Sequence, residues 1–187
     1  MDYKIQQLEK EKWQGHETFF CSYADHCYTV EIASKADALS AIIRKVPLPE
    51  RKYIKYPMRW FETGHATVEV WGIIENEQLI AAIEAGTDNA NRLYVSKLWV
   101  DENYRRQGIA ARLMDAAKAR AARNQNRAVY LETWSCNEHA IAFYLSQGFT
   151  LIGFDSCPFS NEDIEKFNVP LKLGYFLPGA QHKEMNE

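Results

Sequence analysis

No stretch of the 187 residues approaches the ~20 consecutive apolar residues that a helix needs to cross a bilayer, so no membrane is expected as a partner. The opening Met1-Asp2-Tyr3-Lys4-Ile5 has no signal-peptide pattern, which points to a cytoplasmic protein. Charge of one sign is nearly absent in excess: 22 Lys and Arg against 25 Asp and Glu leave a net charge of -3. With an isoelectric point near 6.0, general nucleic-acid binding is not expected. Cysteine is scarce. Cys21, Cys27, Cys136 and Cys157 form no C-x-x-C pair and have no histidine at ligand spacing, so no metal site is expected and the thiols read as reduced. Neither G-x-x-x-x-G-K-[ST] nor G-x-G-x-x-G occurs, which removes the P-loop and the dinucleotide fingerprint. Internal repeats and low-complexity linkers are also lacking. What is left has 47% hydrophobic and 25% charged residues, the make-up of one globular domain over residues 1–187 with a single substantial core.

The segment that stands out runs from Val100 to Ala110. A β-branched and aromatic run, Tyr94 to Val100, feeds a polar turn, and a basic, glycine-bearing piece then opens a helix from about Gly108 to Arg123. The first N–H groups of a helix have no intrahelical partner and carry partial positive charge, so this layout builds an anion site. Gly108 permits close approach to the main chain, and Arg105 and Arg106 add full charges beside it. The expected ligand is a pyrophosphate. Lys118 to Arg123, at the other end of the helix, suits the dipole there.

The run Arg105, Gly108, Ala110 has the form R-x-x-G-x-A. Downstream lie a strand-like Ala128 to Thr133 and then Asn137, Ala140, Phe143, Tyr144, Gly148 and Phe149. In order and spacing these resemble the acetyl-CoA loop, [Q/R]-x-x-G-x-[G/A], and the N-x-x-A-x-x-[FL]-Y-x-x-x-G-F element of the GNAT N-acetyltransferases. The resemblance is specific over residues 92–155, the motif core, and loose elsewhere. It implies an α+β protein with the GNAT fold: a central mixed, mostly antiparallel, splayed β-sheet flanked by helices.

The flanking segments are read from pattern alone. Ser34 caps, with Asp37 as its return partner, a helix whose apolar face is Leu39, Ile42, Ile43 and Val46, and Pro47 and Pro49 end it. Ala66 to Glu75 and Leu79 to Ala85 form a hairpin about Asn76-Glu77, and Arg92 to Val100 is the central strand. Glu138 to Ser146 is a short helix with Gly148 just past its end; Phe149 to Phe154 and Leu171 to Leu177 are strands, with a polar turn or short helix over Asn161 to Phe167. Met1 to Tyr28 shows no clear period. The tail, residues 178–187, reads as frayed.

The resemblance implies an acyltransferase with acetyl-CoA as co-substrate. The strand before the loop offers the main-chain groups of Leu98, Trp99 and Val100 to the acetyl and pantetheine parts. The pyrophosphate lies on the amides of Arg106, Gln107, Gly108, Ile109 and Ala110, beginning at Arg105. Asn137 hydrogen-bonds the pantetheine arm, a role compatible with capping the helix after it. Tyr144 points its hydroxyl at the CoA sulfur and protonates the leaving thiolate, unless it is an aromatic of the helix's packed face. The acceptor is an amine, nucleophilic only when neutral, and an alkylammonium with a pKa near ~10.4 must first lose a proton. Glu132 is the first candidate to take it, against the reading of an ion-paired surface carboxylate; Glu84 and His65 stand behind it.

For the acceptor, residues 89–100, the Leu131-Glu132-Thr133 strand and Gly153-Phe154-Asp155 look similar to streptothricin acetyltransferases. Their Y-I-E-D-I-x-V run becomes Tyr94-Val95-Ser96-Lys97-Leu98-Trp99-Val100 here. Ser96 and Lys97 replace an acidic pair that would attract a cationic amine, and a lysine there favours an acceptor with a carboxylate. Tyr56, Trp60 and Phe61 form an aromatic wall for the amine, or else pack against the sheet. The expectation is direct attack, in a ternary complex, by a primary amine of a small molecule, from a monomer or homodimer. A protein lysine or N-terminal acetyltransferase and a non-catalytic acyl-CoA sensor are the alternatives.

Overall fold

A computed structural model describes residues 3–62 and 68–178. His65 lies outside the described residues, as does nearly all of the tail. In chain order the elements are β1 (Gln6–Gln7), α1 (Lys10–Trp13), β2 (Glu17–Lys35), β3 (Ala38–Arg59), β4 (Val68–Glu75), β5 (Gln78–Thr87), β6 (Arg92–Val100), a 3-10 turn (Glu102–Tyr104), α2 (Ile109–Arg123), β7 (Ala128–Trp134), α3 (Glu138–Ser146), β8 (Thr150–Phe154) and β9 (Pro170–Phe176). One sheet has seven strands in the order β1-β4-β5-β6-β7-β9-β8, and β2 and β3 make a separate two-stranded sheet. β4, β5 and β6 pair antiparallel, and β6 pairs parallel with β7. The sheet is therefore mixed and open, as expected for α+β.

One expectation is overturned. The helix read from Ser34 to Val46 does not form; those residues are the tip of the β2–β3 hairpin, with a turn at Ala36-Asp37. Leu39 is 83% exposed and Ile42 is exposed too, while Ile43 packs on the core of Val30, Ile141, Val169 and Leu171, so the four residues do not form one buried helical face. Ile42, Ile43 and Val46 are β-branched and favour the extended chain. Pro47 and Pro49 interrupt nothing. They sit inside β3, which among the described residues pairs with β2 alone, and a proline is tolerated on such an edge. The polar segment at Asn161 to Phe167 is turn rather than helix.

The described chain forms two compact units: the described parts of Met1–Phe20, Tyr56–Leu131 and Gly174–Glu187, and Cys21–Lys55 with Glu132–Leu173. In the first, α2 packs on β5 and β6 through its buried stripe Ile109, Leu113, Met114, Ala117 and Ala121. A second cluster joins Leu8, Trp13, Met58, Trp60, Phe61, Val70, Leu79, Ala82 and Trp99. Gly72 lets this cluster close up: a Cβ would come within 2.8 Å of Leu79 Cδ1 and 3.1 Å of the Ala81 carbonyl oxygen, so its neighbours would have to shift. In the second unit Val30, Ile141, Val169 and Leu171 form the core. Among the described residues no helix is long and apolar enough to cross a membrane, and no cluster of side chains suits a metal ion.

Candidate active site

The site begins where two strands part. The β6–β7 ladder runs from Arg92↔Ala128 to Val95↔Leu131 and stops. Beyond it, Lys97 to Val100 keep partners only on β5. Leu98, Trp99 and Val100 therefore have one main-chain edge outside the ladder, as anticipated for an edge that receives an extended ligand. The parting coincides with a β-bulge. Glu84 pairs with Lys97 and Ala85 with Val95, so Ser96 is the extra residue.

The loop after β6 is shaped by its own side chains. Asp101 accepts from the Asn103 amide at 3.0 Å and caps the 3-10 turn. Arg105 Nε donates to the Val100 carbonyl at 3.1 Å, tying the loop back to the strand end. Arg105 thus serves loop geometry, while Arg106 is solvent-exposed. Arg106 and Gly108 both adopt positive φ, 64° and 77°. From Arg106 to Ala111 the main-chain N–H groups have no acceptor among the described residues; the next one, Arg112 N–H, bonds the Gly108 carbonyl at 3.1 Å. A Cβ built on Gly108 meets nothing within 4 Å, so the loop opens onto free space. An uncapped helix start with unused amides and an added Arg fits a pyrophosphate.

The same unit holds the four acceptor-side candidates. Trp60 is fully buried and Phe61 nearly so, both in the core cluster; they do not form an exposed aromatic wall. The dense apolar surroundings of Leu8, Trp13, Met58 and Val70 take them up. Tyr56 stays partly exposed and stacks on Phe20, ring centroids 5.0 Å apart. Lys97 is not free for an acceptor carboxylate. Its Nζ lies 2.5 Å from Glu84 Oε1, and its side chain is 15% exposed. Glu84 is wholly buried and also accepts from Ser96 Oγ at 2.7 Å and the Phe61 amide at 2.6 Å. Each oxygen is engaged, which removes Glu84 as a base for an incoming amine.

The second unit holds the remaining candidates. Asn137 stands at the N-terminus of α3, 6% exposed, but its side chain makes no capping bond and its Oδ1 has no partner. A buried amide left unpaired is costly unless a ligand completes it, which fits the pantetheine role better than the cap. Tyr144 lies on α3, half-buried, its ring against Phe143 and Phe149. Glu132 is exposed on β7 and 3.6 Å from Lys172, a surface ion pair of the weak kind.

Sequence reading missed Glu138. Burial raises its pKa, but hydrogen bonds from Lys45 Nζ and from the Asp25 and His26 amides outweigh that and hold it at about 2. An acidic residue in a helix's first turn is ordinary, so nothing in the sequence marked this one. Burial pushes the Cys27 thiol up to about 11 and raises Cys136 as well, so both are packed thiols and poor nucleophiles.

Known proteins share this fold. A protein from Bacillus anthracis str. Ames described as a streptothricin acetyltransferase, in complex with acetyl coenzyme A, superposes with a TM-score of 0.69 at 19% identity, covering 94% of this chain and 100% of that one. A nourseothricin acetyltransferase gives 0.70 at 18% identity over 94% and 99%. A Bacillus subtilis acetyltransferase in complex with CoA gives 0.51 at 13% over 59% and 77%. At these identities the fold is shared. The sequence model of the acetyltransferase (GNAT) family matches residues 35–149, which span β3 to α3 and contain the loop, Asn137 and Tyr144. The chain therefore belongs to the GNAT acetyltransferase family, acyltransferases that take acetyl-CoA as co-substrate.

Proposed function

We propose that this enzyme transfers the acetyl group of acetyl-CoA to a primary amine of a small molecule by direct attack. The observation that carries the reading is the run of unused amides from Arg106 to Ala111, directly after a strand whose edge leaves its ladder. Acetyl-CoA supplies an activated thioester. The amides from Arg106 to Ala110, with Arg106 beside them, bind the pyrophosphate. Leu98, Trp99 and Val100 align the pantetheine arm as an added strand, and Asn137 completes its buried carboxamide on that arm. Tyr144 supplies the proton that the departing thiolate needs. Glu132, open to solvent and paired with the exposed Lys172, takes the ammonium proton of the acceptor directly or through water.

The likeness to streptothricin and nourseothricin acetyltransferases over most of the chain supports a small acceptor. It does not carry over the antibiotic itself. Ser96 and Lys97 stand in place of the acidic pair, and both are committed to Glu84.

A panel of cationic, zwitterionic and neutral primary amines, run against lysine peptides with release of free thiol as the readout, tests the reading. At least one small amine is expected to turn over faster than any peptide. Turnover confined to peptides, or absent with every acceptor despite tight acetyl-CoA binding, contradicts it. With that amine, Glu132→Gln is expected to lower turnover ~10²-fold or more and to flatten the rise of rate with pH.

A further inference from the structure

We propose that Glu84 is a positioning residue for acetyl-CoA, clamping the bulge at Ser96 and so setting the β6 edge from Leu98 to Val100. The inference rests on that edge receiving the co-substrate. Three observations carry it. The β6–β7 ladder ends at Val95↔Leu131, one residue before the bulge. A bulge turns the following side chains to the other face and increases local twist, which directs the rest of β6 off the ladder. The carboxylate of Glu84 grips both residues at that point, Ser96 Oγ at 2.7 Å and Lys97 Nζ at 2.5 Å, on the same oxygen.

The third observation concerns what fixes the clamp. Glu84 Oε2 accepts from the Phe61 amide at 2.6 Å, and Phe61 has a φ of 61°, a conformation a bulky residue seldom adopts. The carboxylate is thus held from the other side and cannot swing with Lys97. A buried, charged, three-donor carboxylate is an expensive way to join two strands that already share a ladder. A pinned bulge explains it, since without a pin the extra residue is free to slide along β6 and carry the main-chain edge with it.

The test uses two probes for the purified, folded enzyme: acetyl-CoA, and 3′-phospho-ADP, which ends at the pyrophosphate. Glu84→Gln keeps the shape and loses the ion pair; it is expected to weaken acetyl-CoA about tenfold while 3′-phospho-ADP binds as in wild type, the equivalent of one weakened set of hydrogen bonds. Ser96→Ala carries no charge change and tests the same clamp if Glu84→Gln does not fold. It is expected to show the same selective loss, about threefold, at a comparable hydrogen-bond scale. Wild-type affinity for acetyl-CoA in folded Glu84→Gln or Ser96→Ala overturns the proposal, and so does an equal loss for both probes. If wild type binds neither probe, the co-substrate reading fails instead.

Discussion

Tyr144 and Asn137 lie on one short helix and illustrate how a residue's surroundings decide between roles. Asn137 sits where a cap would be, yet its side chain caps nothing and its buried oxygen is unpaired. For Tyr144 the decisive observable is rate. Tyr144→Phe removes one hydroxyl and little volume, so transfer is expected to fall ~10²–10⁴-fold while acetyl-CoA affinity holds. Single-turnover kinetics alongside calorimetry checks it. Glu138 gives a stability prediction. Its folded pKa, about 2, lies below the ordinary glutamate value of 4.5, so its contribution is complete above pH 4.5 and is lost as pH falls toward 2. Glu138→Gln is expected to remove ~2–3 kcal/mol at pH 7 and to make the remaining stability less steep between pH 4.5 and 2. Denaturant titrations at several pH values read both effects.

At the scale of elements, legibility followed local chemistry. α2, β6 and α3 were readable because glycine, arginine and apolar spacing fix their ends: α2 begins after Gly108, and α3 spans Glu138–Ser146 as expected. The β2–β3 hairpin was not readable. Four apolar residues at helical spacing outweighed the β-branched content, and paired prolines look alike as a helix stop and on a strand edge. The bulge at Ser96 was also hidden, because its cause is the side chain of Glu84 on the neighbouring strand. The β4–β5 turn was read correctly and is suboptimal. Asn76 and Glu77 both have positive φ, 47° and 64°, as a type I′ turn demands, and glutamate suits the second position poorly. Glu77→Gly is expected to stabilise the protein by ~0.5–1 kcal/mol, since the relief of αL strain exceeds the added chain entropy; equilibrium unfolding measures it.

At the scale of the molecule, absences and presences converge. Among the described residues no cluster suits a metal ion and no helix is long and apolar enough to cross a membrane, and the feature that stands out is a loop of unused amides beside a parted pair of strands. The family was legible because that loop and the Asn137–Tyr144 element are local in sequence. The acceptor was less so: Trp60 and Phe61, singled out by aromatic density, lie in the core, and Lys97, singled out by the resemblance, forms an internal ion pair. Calorimetric titration of acetyl-CoA into wild type and Gly108→Val tests the account most directly. The new Cβ meets no protein atom within 4 Å. Strain at φ 77° is expected to lower the melting temperature by only about 2–8 °C. Affinity is expected to fall at least ~100-fold, the loss of several charge-assisted amide bonds. A folded Gly108→Val that binds acetyl-CoA as tightly as wild type would contradict the central claim.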